Sequence, residues 1–571
     1  MLGKLSESLT FINLDGEQCI MKKGEVAVGK VTKSMYPDKG VIEREDGSVL
    51  IKRAIEGQVV EYLISKKRNG RAEGRILKVI EKSALEDAKD FCPHSKCGGC
   101  SYQSISYDNQ ISIKDKQIIE LLKDAADEDF LWEGIIKSPS EFNYRNKMEF
   151  SFGDEVKDGP LSLGLHKRAS HYDVVNTPNC NIVHEDFNVI QAFTREFFAN
   201  RDVSYFHKHS RTGFLRHLIV RRSAVYEEIL INIVTTSALN TKIEDRQEVG
   251  VLDKEVKDLI NDWLDGLLKL EESKLRGKIV GVIHTINNSY ADAVVNQESK
   301  ILYGRDYIYE NLLGLKFKIS SFSFFQTNSK GAEVLYKSVI DYVGDTEGKF
   351  LYDLYSGTGT IAQLLSKYAK KVYAIEIVEE AVKAACENAK LNAIDNCVFM
   401  CGDVLKLVDE LAGKVDIIVL DPPRDGIHPK ALPKIIDFGA EKIVYVSCKP
   451  GSLARDLRLL QDGGYRMKKA IGVDMFPNTS GVEVVALLCR KDIEVKLELD
   501  EEDVTKAESK GTYENIKEYI LGKYGFKVST LYIAQIKRKC GLELGENYNK
   551  SKKDNSKVSE CPKRRGYHGY T

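Results

Sequence analysis

The chain has 571 residues, 43% of them apolar and 30% charged, too long for one core at roughly 100–200 residues per domain and too apolar for a disordered or fibrous chain. Its net charge of −1 excludes a histone-like polycation, and no window holds the roughly 18 consecutive apolar residues of a membrane span. Met1 to Asp15 lacks a basic stretch followed by an apolar core, so a cytoplasmic protein is expected.

The balanced total hides local asymmetry. Ile20 to Ser83 carries 15 Lys or Arg against 9 Asp or Glu, Asp492 to Glu508 carries 8 acids against 2 bases, and Asn547 to Thr571 carries 7 bases against 2 acids. Basic ends suit a polyanionic partner held at more than one place, although a merely solvated surface has the same composition.

Residues 18–83 read as a small β-barrel: short β-type runs (Glu25 to Thr32, Gly40 to Glu43, Ser48 to Ile51, Gln58 to Ser65, Arg75 to Ile80) alternate with Gly and charged turns. The Ser65 to Arg71 loop is expected to put Lys66, Lys67, Arg68 and Arg71 on one turn against a phosphate backbone. Residues 84–329 read as an α+β domain, with strands at Lys147 to Phe152, His217 to Arg222 and Glu228 to Val234. Within it, Asn143 to Phe150 mixes aromatic faces with cations, as stacking on unpaired bases requires and as an ordinary amphipathic strand also allows.

Near the start of that domain Cys92, Cys97 and Cys100 lie within nine residues beside Gly98 and Gly99, and Cys180 offers a fourth thiol. Four thiolates suit an iron–sulfur cluster or a structural zinc. Zinc ribbons use two separate knuckles, whereas here three thiols cluster and one is distant. The other cysteines have no metal-like spacing.

From 330 to 491 strand, Gly turn and helix recur: Phe350 to Tyr355, Val372 to Ile377, Val398 to Cys401, Val415 to Leu420 and Ile443 to Ser447 are short apolar strands. The alternation predicts a doubly wound, Rossmann-like sheet, with Val382, Ala385 and Ala389 on the inner face of a crossover helix over Glu379 to Asn392. The first strand runs into Gly357-Thr358-Gly359, Glu376 ends the second, and Asp403 follows the third, placing carboxylates where ribose hydroxyls and an adenine amino group would lie. NAD and S-adenosylmethionine suit these features about equally. In Asp421-Pro422-Pro423-Arg424 after the fourth strand, two prolines fix an acid and a base at the ligand-binding edge, and the turn resembles the Asp-Pro-Pro turns of methyltransferases acting on planar amines, a resemblance that tips the reading to methyl transfer.

After the fifth strand, Cys448 stands beside Lys449 at a helix start, where a thiol has reasons to be ionised; a small buried hydrophobe is the alternative. Glu483 enters the last strand after Met475 to Val482. Residues 492–571 read as an acidic linker, helices over Tyr513 to Gly522 and Ser529 to Cys540, and a basic tail that offers an additional RNA contact.

Asp353 to Thr360, Asp421 to Arg424, Ser447 to Asp456 and Met475 to Glu483 together resemble the RNA uracil-5 methyltransferase family. The resemblance covers most of the chain, and by it the barrel looks like an OB-like TRAM domain and Ser323 to Asn328 like the family's substrate and cofactor stretch. It implies that Gln326, Tyr355, Thr360, Glu376, Asp403 and Asp421 serve S-adenosylmethionine, that Cys448 is the nucleophile and Glu483 the base, and that Cys92, Cys97, Cys100 and Cys180 hold a [4Fe–4S] cluster, with structural zinc as the alternative. Gly481 stands where the family usually has His, and the spacing of Cys92 is one residue short. Barrel and cysteines together most resemble the branch acting on 23S rRNA, with tRNA the second substrate. A non-catalytic RNA-binding or assembly factor, and an NAD-linked oxidoreductase, are the competing classes; intact Cys448 and Glu483 oppose the first, and the lack of nicotinamide-handling residues opposes the second.

Overall fold

In the computed structural model, residues 21–490 are described apart from 69–70, 90–91, 171, 240–253, 292 and 408–414. The acidic linker, the two C-terminal helices and the basic tail expected after 491 lie outside the described residues, as do Cys19, Cys540 and Cys561.

Six strands from Val26–Lys30 to Arg71–Glu81 form the first sheet. Alternation along them turns Val49, Ile51, Val60, Tyr62 and Ile64 into a dry interior. The expected cationic loop is instead a hairpin: one strand runs Val59–Arg68, the next starts at Arg71, and these two residues pair across the tip. The β-pattern continues through Lys66 and Lys67, whose long basic side chains are exposed on the strand.

A seven-stranded sheet follows, its middle strands Lys147–Gly153, Leu215–Arg222 and Glu228–Thr235. Helices Glu185–Ala199 and Lys254–Lys274 pack on it through Phe187, Ile190, Trp263 and Leu267. Leu215–Arg222 is buried throughout, so its arginines need internal partners. Arg222 donates to Asp186 at 2.7 Å, while Arg221 donates to the Ser321 carbonyl at 3.2 Å and to that of Ser323.

The third large sheet has eight strands. Cys397–Cys401, Lys371–Glu376, Phe350–Leu354, Ile417–Leu420 and Lys442–Ser447 are neighbours in that order and parallel. Glu483–Arg490 then enters antiparallel, with Tyr465–Val473 antiparallel beyond it. This departs from an all-parallel sheet for a simple reason: residues 474–482 are too few for a parallel crossover, which needs a dozen or more, so the chain returns as a hairpin. Leu131–Ile136, far upstream in sequence, completes the edge in parallel with Tyr465–Val473. The sheet boundary therefore does not coincide with residue 330.

Two apolar layers cover the faces of this sheet. The crossover helix Glu379–Leu391 buries Ala385 and Ala389 as its pattern predicts, with Val382 half-buried. Among the described residues no helix is long and apolar enough to cross a membrane.

Candidate active site

The carboxyl edge of the parallel strands is where side chains from successive turns meet. Leaving the first strand, Tyr355, Gly357 and Gly359 all take positive φ, at 68°, 53° and 70°. Gly359 must be glycine on two counts, since an added Cβ would also lie 2.5 Å from the Phe399 ring. Around Gly357 a Cβ would meet nothing within 4 Å, so the turn leaves an open cradle. Glu376 spans it, accepting from the Gly357 N–H at 2.9 Å and the Val378 N–H at 2.9 Å.

Buried Asp353 accepts from the Ala362 N–H at 2.9 Å, while its Oδ1 has no hydrogen-bond partner. Thr360 is buried in the first turn of the helix Thr360–Ser366. Asp403 spends one oxygen on the Leu405 N–H at 2.9 Å, and its charge, behind burial, helps push the Tyr355 phenol up to about 12. Gln326 bonds through its side chain to the Tyr336 phenol, and the stretch carrying it touches the glycine turn where Thr358 Oγ1 donates to the Phe324 carbonyl at 3.4 Å. Phe324 and Ile377 stand 68% and 65% exposed beside this turn. An open glycine cradle, an orphaned carboxylate oxygen and exposed apolar faces fit a nucleoside cofactor such as S-adenosylmethionine.

The structure brings Cys448, Glu483 and Asp421 together at the neighbouring strand ends. Burial, then the charges of Glu483 and Asp421, push the Cys448 thiol up to about 11, and Arg424 is the cation opposing them. The expectation of a thiol ionised beside Lys449 is therefore corrected: Lys449 is the N-cap of the helix Pro450–Asp462, and burial and two acids outweigh Arg424, the cation acting on the thiol. Buried Glu483 is pushed up to about 8 by desolvation and then by Asp421; desolvation lifts Asp421 to about 7. These acids accept protons close to neutral pH, the range in which a general base is effective.

Contacts from distant segments fix the loop that delivers Glu483. Lys114 and Asp474 form a fully buried ion pair at 2.8 Å. Gln110 donates to Asn478 Oδ1 at 3.1 Å and accepts from the Asn478 N–H at 2.8 Å. Asn328, which caps the helix Ser329–Val343, donates to the Met475 carbonyl at 2.9 Å. Gly481, the departure from the family pattern, donates its N–H to Thr479 Oγ1 at 3.1 Å.

Two residues at this site escape a reading of the sequence. Tyr336 carries its phenol on an otherwise apolar stripe with Leu335, Val339 and Val343, and lies in the field of Asp421, Glu483 and Asp353; a phenol on a buried helix face was the available signal. Tyr36 comes from the first sheet, packs against the core of the eight-stranded one, and feels both Glu483 and Cys448. No local pattern gives that proximity.

The four cysteines also converge. Cys92, Cys100 and Cys180 are buried and Cys97 is half-buried. Burial, followed by the charges of its fellow cysteines, drives Cys100 up to about 11 and Cys180 up to about 12. Arg168 braces the loop through the carbonyls of Cys97 at 2.9 Å and Cys100 at 3.1 Å, and the Gly99 N–H points at Cys97 Sγ at 3.3 Å. Among the described residues no three His, Cys, Asp or Glu side chains are grouped closely enough to hold a single ion. Three buried thiols and a half-buried fourth within each other's field, with cations and N–H groups nearby, fit thiolate ligands of a multi-metal cluster.

Comparison with known proteins agrees with this geometry. Residues 257–491 match the family model described as tRNA (Uracil-5-)-methyltransferase. An uncharacterized RNA methyltransferase of Caldanaerobacter subterraneus subsp. tengcongensis is 45% identical over 82% of this chain and 99% of its own length. Another from Clostridium tetani is 42% identical over 83% of this chain and 99% of its own. The crystal structure of a Pyrococcus abyssi tRNA (uracil-54, C5)-methyltransferase, in complex with S-adenosyl-L-homocysteine, shares the fold at a TM-score of 0.59 and 24% identity, over 81% of this chain and all of that one. This protein belongs to the S-adenosylmethionine-dependent RNA (uracil-5-)-methyltransferase family.

Proposed function

We propose that the protein methylates C5 of a uridine in RNA, with Cys448 as nucleophile and Glu483 as base. The observation that carries the reading is the meeting of a thiol and a proton-accepting carboxylate, beside Asp421 and Arg424, next to the glycine cradle. C5 of uracil is a weak nucleophile. Cys448 gives up its proton to solvent, and addition of the resulting thiolate to C6 moves the C5–C6 π electrons toward O4 and makes C5 electron-rich. When bound on the cradle by Gln326, Tyr355, Thr360, Glu376 and Asp403, S-adenosylmethionine supplies the methyl group that C5 takes, leaving S-adenosylhomocysteine. Glu483 then removes the C5 proton, the double bond re-forms, and the C6–S bond breaks to release the thiolate. Asp421, with a proton held near neutral pH, donates to a uracil carbonyl; Arg424 offsets the negative charge of the step. A uracil inside a helix cannot present C6 to a thiol, so the target nucleotide is unpaired or flipped out.

The first sheet acts as a TRAM-like RNA-binding barrel, the seven-stranded region carries the cluster, and the eight-stranded region carries the chemistry. Cys92, Cys97, Cys100 and Cys180 hold a [4Fe–4S] cluster rather than the structural zinc also expected from the sequence, since no three of these side chains group closely enough for one ion; iron and acid-labile sulfide in purified protein support the cluster, and stoichiometric zinc overturns it. The substrate we favour is 23S rRNA, because the barrel and cysteine loop resemble that branch. The tRNA reading rests on the substrate named for the Pyrococcus abyssi protein.

The decisive experiment incubates 23S rRNA and tRNA transcripts with labelled S-adenosylmethionine and analyses the nucleosides. Label in 5-methyluridine from one transcript identifies the substrate; label in a base other than uracil overturns the reading. Cys448→Ala abolishes methylation, and Glu483→Gln accumulates a covalent protein–RNA adduct that survives denaturing electrophoresis. Turnover by Cys448→Ala at the wild-type rate refutes the assigned nucleophile.

A further inference from the structure

A cavity of about 360 Å³ opens in the seven-stranded region, apart from the carboxyl edge and within the roughly 300–1,000 Å³ range of small-ligand pockets. Its walls come from the end of the strand Lys147–Gly153, the turn after Ser162–His166 and the segment 205–209. Nothing in the methyl-transfer mechanism uses them.

The lining combines three kinds of group. Aromatic faces come from Tyr172, which is 72% exposed, and from Tyr205 and His207, whose ring centroids are 4.0 Å apart. Exposing a large ring at a cavity mouth forgoes burial that a stacked ligand would restore. Acceptors come from Asp154, buried and bonded by the Tyr205 phenol, and from Asp158, whose charge the same phenol feels. A cation stands at the rim, Lys208 Nζ lying 5.6 Å from the Tyr172 ring centroid.

We propose that this cavity is a second nucleotide pocket of the RNA site, taking one unpaired nucleotide whose base carries an exocyclic amino group. The proposal rests on the RNA reading above. Planar stacking against Tyr172 or the Tyr205–His207 pair holds the base, as aromatic platforms do for single strands. Carboxylates accept from the amino N–H of adenine, cytosine or guanine, whereas uracil offers them only its N3–H, flanked on both sides by carbonyls of like partial charge. Lys208 takes the phosphate. The pocket is also continuous with the catalytic loop through the cysteine segment. The His166 carbonyl accepts from the Gly98 N–H at 2.9 Å, and the Ser101 N–H donates to the Asn478 carbonyl at 2.9 Å, five residues before Glu483. One strand of RNA engaging both places would be read at a nucleotide other than the one modified.

The test uses the full chain and two readouts. Saturation-transfer NMR with AMP, CMP, GMP and UMP, one at a time, is expected to show binding of an amino-bearing nucleotide and about tenfold weaker binding of UMP. Tyr172→Ala, an exposed substitution that leaves the fold intact, is expected to abolish that signal and to raise KM for RNA about tenfold with kcat retained. Asp154→Asn is expected to narrow the difference between UMP and the others, and Lys208→Ala to lower the salt dependence of RNA binding. Equal or absent binding of all four nucleotides, or an unchanged signal in Tyr172→Ala, overturns the pocket. Because nucleotide binding is read without turnover, it decides the pocket even for a chain that methylates no uridine, a result that would sink the proposed reaction instead.

Discussion

The two ends of the catalytic edge are held in different ways. The cofactor end is built from its own neighbourhood: Glu376 reaches the Gly357 and Val378 N–H groups, Asp353 reaches Ala362, and Asp403 reaches Leu405. The Glu483 end is held from far away in sequence, by Gln110 and Lys114 on the helix Tyr107–Lys123, by Asn328, and by Tyr36 from the first sheet. A cofactor cradle needs only a turn of the right shape, which a few residues encode. In the proposed reaction a thiol and a base must both reach the C5–C6 bond of one ring, and that spacing is set by how whole segments pack. The contrast teaches that damage at the cofactor end should stay local, whereas damage at the base end should reach stability and chemistry together.

Breaking the Lys114–Asp474 pair tests this most severely. Lys114→Met leaves a buried carboxylate that already lacks a partner on Oδ2, and losing one member of a buried pair costs about 3–5 kcal/mol. Chemical denaturation should register that loss, and whatever protein remains folded should lose kcat as Glu483 is displaced. The double change Lys114→Met with Asp474→Leu should recover stability while activity stays low. If activity returns with stability, the pair merely fills space.

Paired glycine substitutions probe the other end. Gly359→Ala meets both a positive φ and the Phe399 ring at 2.5 Å, so roughly 1–3 kcal/mol of stability should go along with cofactor binding. Gly357→Ala meets nothing within 4 Å and should cost only about 1 kcal/mol from its backbone. Its methyl group projects into the cradle, however, and should raise the KM for S-adenosylmethionine while leaving KM for RNA unchanged. Equal effects of the two variants on stability would refute the local account.

How far the sequence could be read follows the same division. The glycine turn, Glu376, Asp421 and the strand rhythm from Phe350 to Ser447 are local signals, and each predicts its element. What escaped depends on distant packing. Leu131–Ile136 gives no sign of pairing with Tyr465–Val473, Tyr36 lies over four hundred residues from the base it faces, and the hairpin that reverses Glu483–Arg490 follows from a count of loop residues rather than from strand composition. The thiol of Cys448 shows the limit most clearly. Its neighbour Lys449 suggested ionisation, but its state is set first by burial and then by Glu483 and Asp421, which other strands of the sheet deliver.

The buried acids make a pH prediction of definite sign. Glu483 has a folded-state value of about 8, above the 4.5 of an exposed Glu. The folded chain therefore holds this proton more tightly than the unfolded chain, and the stabilisation is complete below pH 4.5 and lost as pH rises through 8. Glu483→Gln removes the penalty of ionising there. Melting temperatures of the variant and wild type should coincide near pH 4.5 and separate in favour of the variant by pH 8, while wild-type kcat/KM rises over the same interval as the base loses its proton. Asp421, at about 7, adds a drift of the same sign at slightly lower pH. Variant and wild-type melting curves that run parallel from pH 4.5 to 8 would mean that Glu483 is solvated rather than enclosed.

The smallest effect belongs to Tyr36, where the two ways of holding the site can be separated. Burial and then the charges of Glu483 and Cys448 raise its phenol far above neutral pH, so it keeps its proton in the field of the carboxylate. A neutral hydroxyl dipole in that field can turn toward the carboxylate and favour its ionised form. Tyr36→Phe keeps the ring that packs on the core but removes the hydroxyl dipole, so kcat should fall by no more than about tenfold. The midpoint of the pH profile should move upward, with KM for RNA unchanged. Tyr36→Ala should add a loss of stability, because the ring itself closes the seam between the two sheets. A Phe variant with an unshifted midpoint would restrict the first sheet to docking RNA, and Glu483 would then owe its state to Asp421 and burial alone.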